Sequence, residues 1–138
     1  MRAVQILSFL LLIAALSGLL WVRTQAQSKA YFLEGEEKYA ARQYHEAAVA
    51  YETAIHMYTP WNPYVRESVE RLWEIGQIFE NQKDCTRALD TYRSLRSSLY
   101  AIQSFYKPYV SWIEKSEERI RFCQSPVVYP PVNADVRR

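Results

Sequence analysis

The sequence predicts an all-α protein in which an N-terminal transmembrane helix is followed by a two-unit helical repeat and a terminal capping helix. Three observations carry that expectation. Residues 4–22, VQILSFLLLIAALSGLLWV, hold no charged side chain. Glycine is almost absent, with only Gly18, Gly35 and Gly76 in 138 residues, which favours long helices over turn-rich sheets. Beyond the apolar run, residues of core type recur in steps of three and four, the period of one helix face.

The apolar run is nineteen residues long, and at roughly 1.5 Å per residue it spans about 28 Å, close to a hydrocarbon core of about 30 Å. Arg2 precedes it, while Trp21 and Arg23 close it with an interfacial aromatic and a charge. The alternative is a cleaved secretory signal with Thr24-Gln25-Ala26 as its small-residue site, but signal cores usually run roughly 7–15 residues. The expectation is therefore a retained anchor and its flanks over 1–26, a helical domain over 27–124, and an extended tail over 125–138. That tail, SPVVYPPVNADVRR, has three of the six prolines and no helical period.

The domain carries no charge signature for nucleic acid. Of 17 Lys and Arg, two flank the span, leaving the rest level with the 15 Asp and Glu. A protein that depends on phosphate contacts needs a basic excess.

Taken in order, residues 28–41 predict the first helix of the domain, and Arg42-Gln43 turns the chain. Ala47, Ala50, Tyr51 and Ala54 then fall at i, i+3, i+4 and i+7, a narrow face of small residues around one ring. Thr59-Pro60 ends that second helix. Asn62-Pro63 reads as an N-cap followed by proline at the first helical position, where a missing N–H costs nothing, and a third helix runs to about Asn81. Asp84 caps a fourth, whose stripe Cys85, Ala88, Tyr92, Leu95, Leu99, Ile102 and Tyr106 alternates steps of three and four. Lys107-Pro108 restarts the chain in the same cap-and-proline style. A fifth helix sets Val110, Ile113, Ile120 and Cys123 opposite Glu114, Lys115, Glu118 and Arg119.

The helix pairs repeat one another. Gly35 leads Ala47 by twelve residues and Ala47 leads Tyr51 by four; Gly76, Ala88 and Tyr92 have the same spacing. ARQYHEAAVAYETAI closely resembles the second half of a tetratricopeptide repeat, and DCTRALDTYRSL resembles it moderately. A glycine in the first helix lets the second cross it closely, an alanine sits in the crossing, and an aromatic fills the adjacent hole. The resemblance covers roughly residues 30–99. It departs in period, since Ala47 and Ala88 are 41 apart against about 34 for the family, with the excess in residues 57–70.

In that family the first helix of each unit lines a concave groove. The resemblance thus implies a partner-binding groove of Phe32, Glu36 and Tyr39 from the first unit and Trp73, Gln77 and Glu80 from the second, aromatic and acidic, suited to a basic and apolar peptide. The competing expectation is that Phe32 and Trp73 pack internally. In a repeat stack successive helices run antiparallel, so Cys85 and Cys123 meet, and the expectation is a disulfide in an oxidising compartment; the competing expectation is two buried free thiols.

No catalytic constellation emerges. His45 and His56 are eleven apart with no accompanying Cys or carboxylate cluster, so neither a metal nor a cofactor is expected. Phosphate loops and nucleophile elbows are absent. Trp61, Trp73 and Trp112 read as packing aromatics, and Arg87, Arg93 and Arg96 as a solvated face. The function expected is a non-enzymatic adaptor or scaffold that binds a protein partner in a bacterial envelope complex; the alternative is a structural or assembly subunit whose groove binds nothing. A short charged start before a long apolar run favours export of the domain to the periplasmic side of the inner membrane. Against that, Arg23, Lys29, Lys38 and Arg42 follow the span, which by the positive-inside rule favours a cytoplasmic domain.

Overall fold

One uninterrupted helix, α1 (Arg2–Ala40), carries both the apolar run and the first helix of the domain. The structure, a computed structural model, describes residues 2–104 and 107–125. From Gln5 to Arg23 every side chain of α1 is exposed, and Ser28 is the first buried position. This segment is long and apolar enough to cross a membrane. Four more helices follow among the described residues, α2 (Tyr44–His56), α3 (Pro63–Asn81), α4 (Cys85–Ala101) and α5 (Val110–Gln124), with no strand. The protein is all-α.

Successive helices run antiparallel. At one end of the α1–α2 pair Ser28 Oγ donates to the Ala54 carbonyl at 3.2 Å, and at the other the Tyr39 and Tyr44 rings meet at 5.5 Å. Helices two apart run parallel: Phe32 meets Tyr64 at 5.7 Å and Glu36 meets Arg71, then Trp73 meets Trp112 at 5.7 Å and Glu80 meets Arg119. Hence α1, α3 and α5 share one side of the stack, with α2 and α4 behind them.

The α1–α2 and α3–α4 pairs share backbone detail. Arg42 and Lys83 both adopt left-handed geometry, with φ of 59° and 60°. After each, the next N–H reaches back five residues at 2.9 Å, from Gln43 to the Lys38 carbonyl and from Asp84 to the Phe79 carbonyl. This closes each helix in the same left-handed stop. The glycines then bring the pairs together equally. A Cβ on Gly35 would lie 2.5 Å from the Tyr51 ring, and one on Gly76 would lie 2.5 Å from the Tyr92 ring. Ala47, Ala88 and both tyrosines are fully buried, so neither ring has free volume into which to retreat.

Caps set the remaining boundaries. Asn62 accepts from the Tyr64 N–H at 3.1 Å with Pro63 in the first turn, and Asp84 accepts from the Arg87 N–H at 3.0 Å. Three expectations differ. α4 stops at Ala101, where the Ile102 and Gln103 N–H groups tighten onto Ser98 and Tyr100; Ile102, just past the helix end, still packs on the core, and Tyr106 lies outside the described residues. Pro108 does not open α5. Tyr109 does, in left-handed geometry at φ 63° with no side-chain cap, leaving Val110 exposed. Trp61 does not pack: it occupies a left-handed turn at φ 62° and is 92% exposed. The tail predicted over 125–138 lies outside the described residues beyond Ser125.

Candidate functional site

The six groove positions all fall on α1 and α3, but the protein itself occupies most of them. Phe32 is a core residue, tilted against Tyr51 at 5.9 Å and Tyr64 at 5.7 Å. Tyr39 lies under the Arg71 guanidinium, 5.1 Å from ring centre to Cζ. Burial and then the nearby Glu74 carboxylate push its phenol above the usual range. Neither residue is left to line an open groove.

Glu36 and Glu80 each sit in a Tyr–Glu–Arg triad. Tyr51 donates to Glu36 at 2.6 Å, and Arg71 grips the same carboxylate through Nε at 2.7 Å and an Nη at 3.0 Å. Arg71 also binds Glu74 at 2.9 Å. In the second unit Tyr92 donates to Glu80 at 3.1 Å, Arg119 Nε donates at 3.1 Å, and an Nη closes a further ion pair. The tyrosine comes from the second helix of a unit, the glutamate from the first, and the arginine from the first helix of the next layer. This two-pronged arginine geometry fixes the separation of α1 from α3 and of α3 from α5.

The electrostatics follow from burial. Tyr51 is held far above the ordinary phenol range by burial and then by its bond to Glu36; Tyr92 is raised chiefly by burial. Both therefore remain hydrogen-bond donors at any physiological pH. Bonds first to Glu74 and then to Glu36 hold Arg71 as a cation. Glu36 and Glu80 are thus each bound by an arginine lying 35 and 39 residues beyond them, with Arg71 shared between Glu36 and Glu74, so the site is less acidic than its glutamates alone imply.

What stays open is a cleft of about 560 Å³ between α3 and α5, lined by Trp73, Gln77, Glu80, Asn81, Lys115, Glu118 and Arg119. Trp73 forms its apolar wall, packed on Tyr92 at 5.1 Å and on Trp112 at 5.7 Å. Lys115 stands 4.6 Å over the Trp112 ring. Gln77, Asn81, Lys115 and Glu118 are exposed. Such a lining offers hydrogen-bond donors and acceptors of both charges beside an aromatic ledge. Of its seven residues, Asn81, Lys115, Glu118 and Arg119 were not among the predicted groove positions. The i, i+4 step from Lys115 to Arg119, on the polar face of α5, is the available signal.

Cys85 and Cys123 do meet, at 3.0 Å between Sγ atoms and buried, as free thiols. Burial, then the bond from Cys85, pushes the Cys123 thiol up to about 12, so it is protonated and unreactive at neutral pH. His45 and His56 are exposed at opposite ends of α2. Comparison with protein-family models, with curated proteins and with solved structures finds no match.

Proposed function

We propose that the protein is a membrane-anchored helical-repeat adaptor, and that the α3–α5 cleft takes a segment of a partner protein. The observation that carries this is the cleft itself. It is open and polar with one aromatic wall, on a domain that continues directly from an apolar helix. The spacing shared by Gly35, Ala47 and Tyr51 with Gly76, Ala88 and Tyr92 supports a tetratricopeptide-like architecture, and such stacks bind peptides along the side formed by their first helices. Because Glu36 and Glu80 are each bound by an arginine of the domain, the ligand suited to this cleft is less basic than the sequence suggested. It is an extended segment that hydrogen-bonds Gln77 and Asn81 and lays an apolar residue on Trp73.

The proposal keeps residues 4–22 as a retained span, with the domain on the periplasmic side of a bacterial inner membrane. The short charged start supports that side; the cations that follow the span argue for the other. Substituting Gln77→Arg and Lys115→Glu in the full chain tests the adaptor reading. Salt-sensitive co-purification of the partner should be lost with the melting temperature unchanged, whereas undiminished recovery refutes a cleft-held partner.

A second reading is a structural subunit of a membrane complex. The internal engagement of Phe32, Glu36 and Tyr39 favours it, since half of the expected groove is closed. Stoichiometric partners that persist in high salt, insensitive to the cleft variants, would mark a permanent subunit.

A further inference from the structure

The acidic residues of the domain are segregated along the stack. Between residues 27 and 125 every Asp and Glu falls in 34–52, 67–90 or 114–118; the intervening stretches 53–66 and 91–113 contain none. Antiparallel packing gathers those acid-free stretches at one end. They comprise the end of α2 and the loop into α3, then the returning half of α4 and the loop into α5. Residues 23–33 of α1 also lack an acid. This end therefore carries Arg23, Lys29, Arg66, Arg93, Arg96 and Lys107, against which the neighbouring stretches set Glu70, paired with Arg66 at 3.2 Å, and the Glu52 and Glu117 carboxylates that accept from Ser98 and Tyr100, so cations remain in excess.

It is also the end that faces the span. Ser28 lies six residues beyond Val22 on the same unbroken helix, or about 9 Å along its axis at roughly 1.5 Å per residue. Ala54 is at that level, bonded to Ser28. The last residues of α2 and the loop 57–62 continue back toward Val22. An interfacial layer extends about 5–8 Å beyond the hydrocarbon core on each side, so this loop descends to it.

At its tip stands Trp61, 92% exposed, between the exposed Pro60 and the start of α3. Pro60, Trp61, Pro63 and Arg66 share a shallow hollow with Pro108 and Tyr109. An exposed indole among prolines, with one arginine beside it, is costly to hold in water, but it suits the headgroup layer, where tryptophan and tyrosine concentrate.

Resting on the reading of residues 4–22 as an anchor, we infer that this basic, Trp61-tipped end of the domain seats on the anionic headgroup surface of the membrane that α1 crosses. Trp61 enters the interface and Lys107 faces lipid phosphates, while Arg66 beside it is paired with Glu70 at 3.2 Å; the remaining cations of this end add to one another as juxtamembrane cations do. The domain is thereby held at a fixed attitude, and the α3–α5 cleft opens sideways along the membrane surface.

Tryptophan quenching by brominated lipid tests this on the full chain in phosphatidylcholine vesicles with and without phosphatidylglycerol. Trp73 and Trp112 are partly buried and packed on each other; they are common to every variant, so the differences between variants report Trp21 and Trp61. In Trp21→Phe, emission should still be quenched and blue-shifted, more so with phosphatidylglycerol, and that quenching should disappear in Trp21→Phe/Trp61→Phe. Lys107→Glu should reduce it and raised salt should weaken it. If Trp61→Phe shows Trp21 quenched while Trp21→Phe shows no quenching, the anchor stands and the seating is overturned. If neither tryptophan is quenched, the anchor itself has failed and the seating with it.

Discussion

Adding a single methyl group to Gly76 should destabilise the domain, although alanine is the better helix former. The new Cβ would lie 2.5 Å from Tyr92 Cε1 and 2.7 Å from Cζ, against about 3.5–4.0 Å for an unstrained carbon pair. The ring cannot swing aside. It is fully buried, flanked by Trp73 at 5.1 Å and tied to Glu80 at 3.1 Å. Overpacking of this kind costs about 1–3 kcal/mol, and displacing the Tyr92 hydroxyl from Glu80 adds about 1 kcal/mol. The gain in helix propensity from Gly to Ala returns about 1 kcal/mol. The net loss is about 2 kcal/mol, which in a domain of this size lowers the melting temperature by roughly 8–16 °C. Thermal unfolding of the full chain in detergent, followed by circular dichroism, measures it. Gly35→Ala should lose as much, since its Cβ meets Tyr51 at the same 2.5 Å, while Gly18→Ala, with no neighbour within 4 Å, should lose nothing. In a Tyr92→Ala background the Gly76→Ala penalty should vanish, because the obstructing ring is gone. A Gly76→Ala protein that melts at or above the parent temperature would refute the close crossing and the repeat geometry built on it.

Oxidation of the Cys85–Cys123 pair by a thiol–disulfide exchange partner should stabilise the fold by about 4 kcal/mol on loop-closure entropy, given their separation of 38 positions in the chain; equal melting with and without reductant would contradict it. Without oxidation, Cys123 should resist maleimide at neutral pH until the domain unfolds, its thiol being held up near 12 by burial. Arg119→Ala should cost about 1–2 kcal/mol by stranding a carboxylate, Glu80, that is 17% exposed, a magnitude between those of exposed and buried pairs. The Asp84 carboxyl is held below its usual range by the Arg87 N–H and then the Arg87 side chain, so its capping contribution is complete above the ordinary carboxylate range and fades as pH falls through its lowered folded value. An Asp84→Asn protein should show a shallower acid loss of stability.

Much of the fold was legible because local chemistry decides it. Asn62-Pro63 and Asp84 announce helix starts through their own side chains, and the Gly–Ala–Tyr spacing announces a close crossing wherever the chain runs. The Tyr–Glu–Arg triads were not legible. They join residues 15 and 35 apart in the first unit and 12 and 39 apart in the second, and their spacing differs between units although their geometry agrees. Trp61 was misread for a related reason: composition marks tryptophan as a core residue, but a left-handed turn throws this one outward. The boundary between α4 and α5 was blurred because Ile102 continues the apolar period past the last helical residue, Ala101.

The adaptor account is tested most directly by a photo-crosslinking residue placed at Gln77, at Lys115 and, on the far side of the stack, at Arg93, in the full chain in its native membranes. It predicts one discrete, salt-sensitive adduct from Gln77 and Lys115 and none from Arg93. No adduct from either cleft position, or the same adduct from all three, would contradict it.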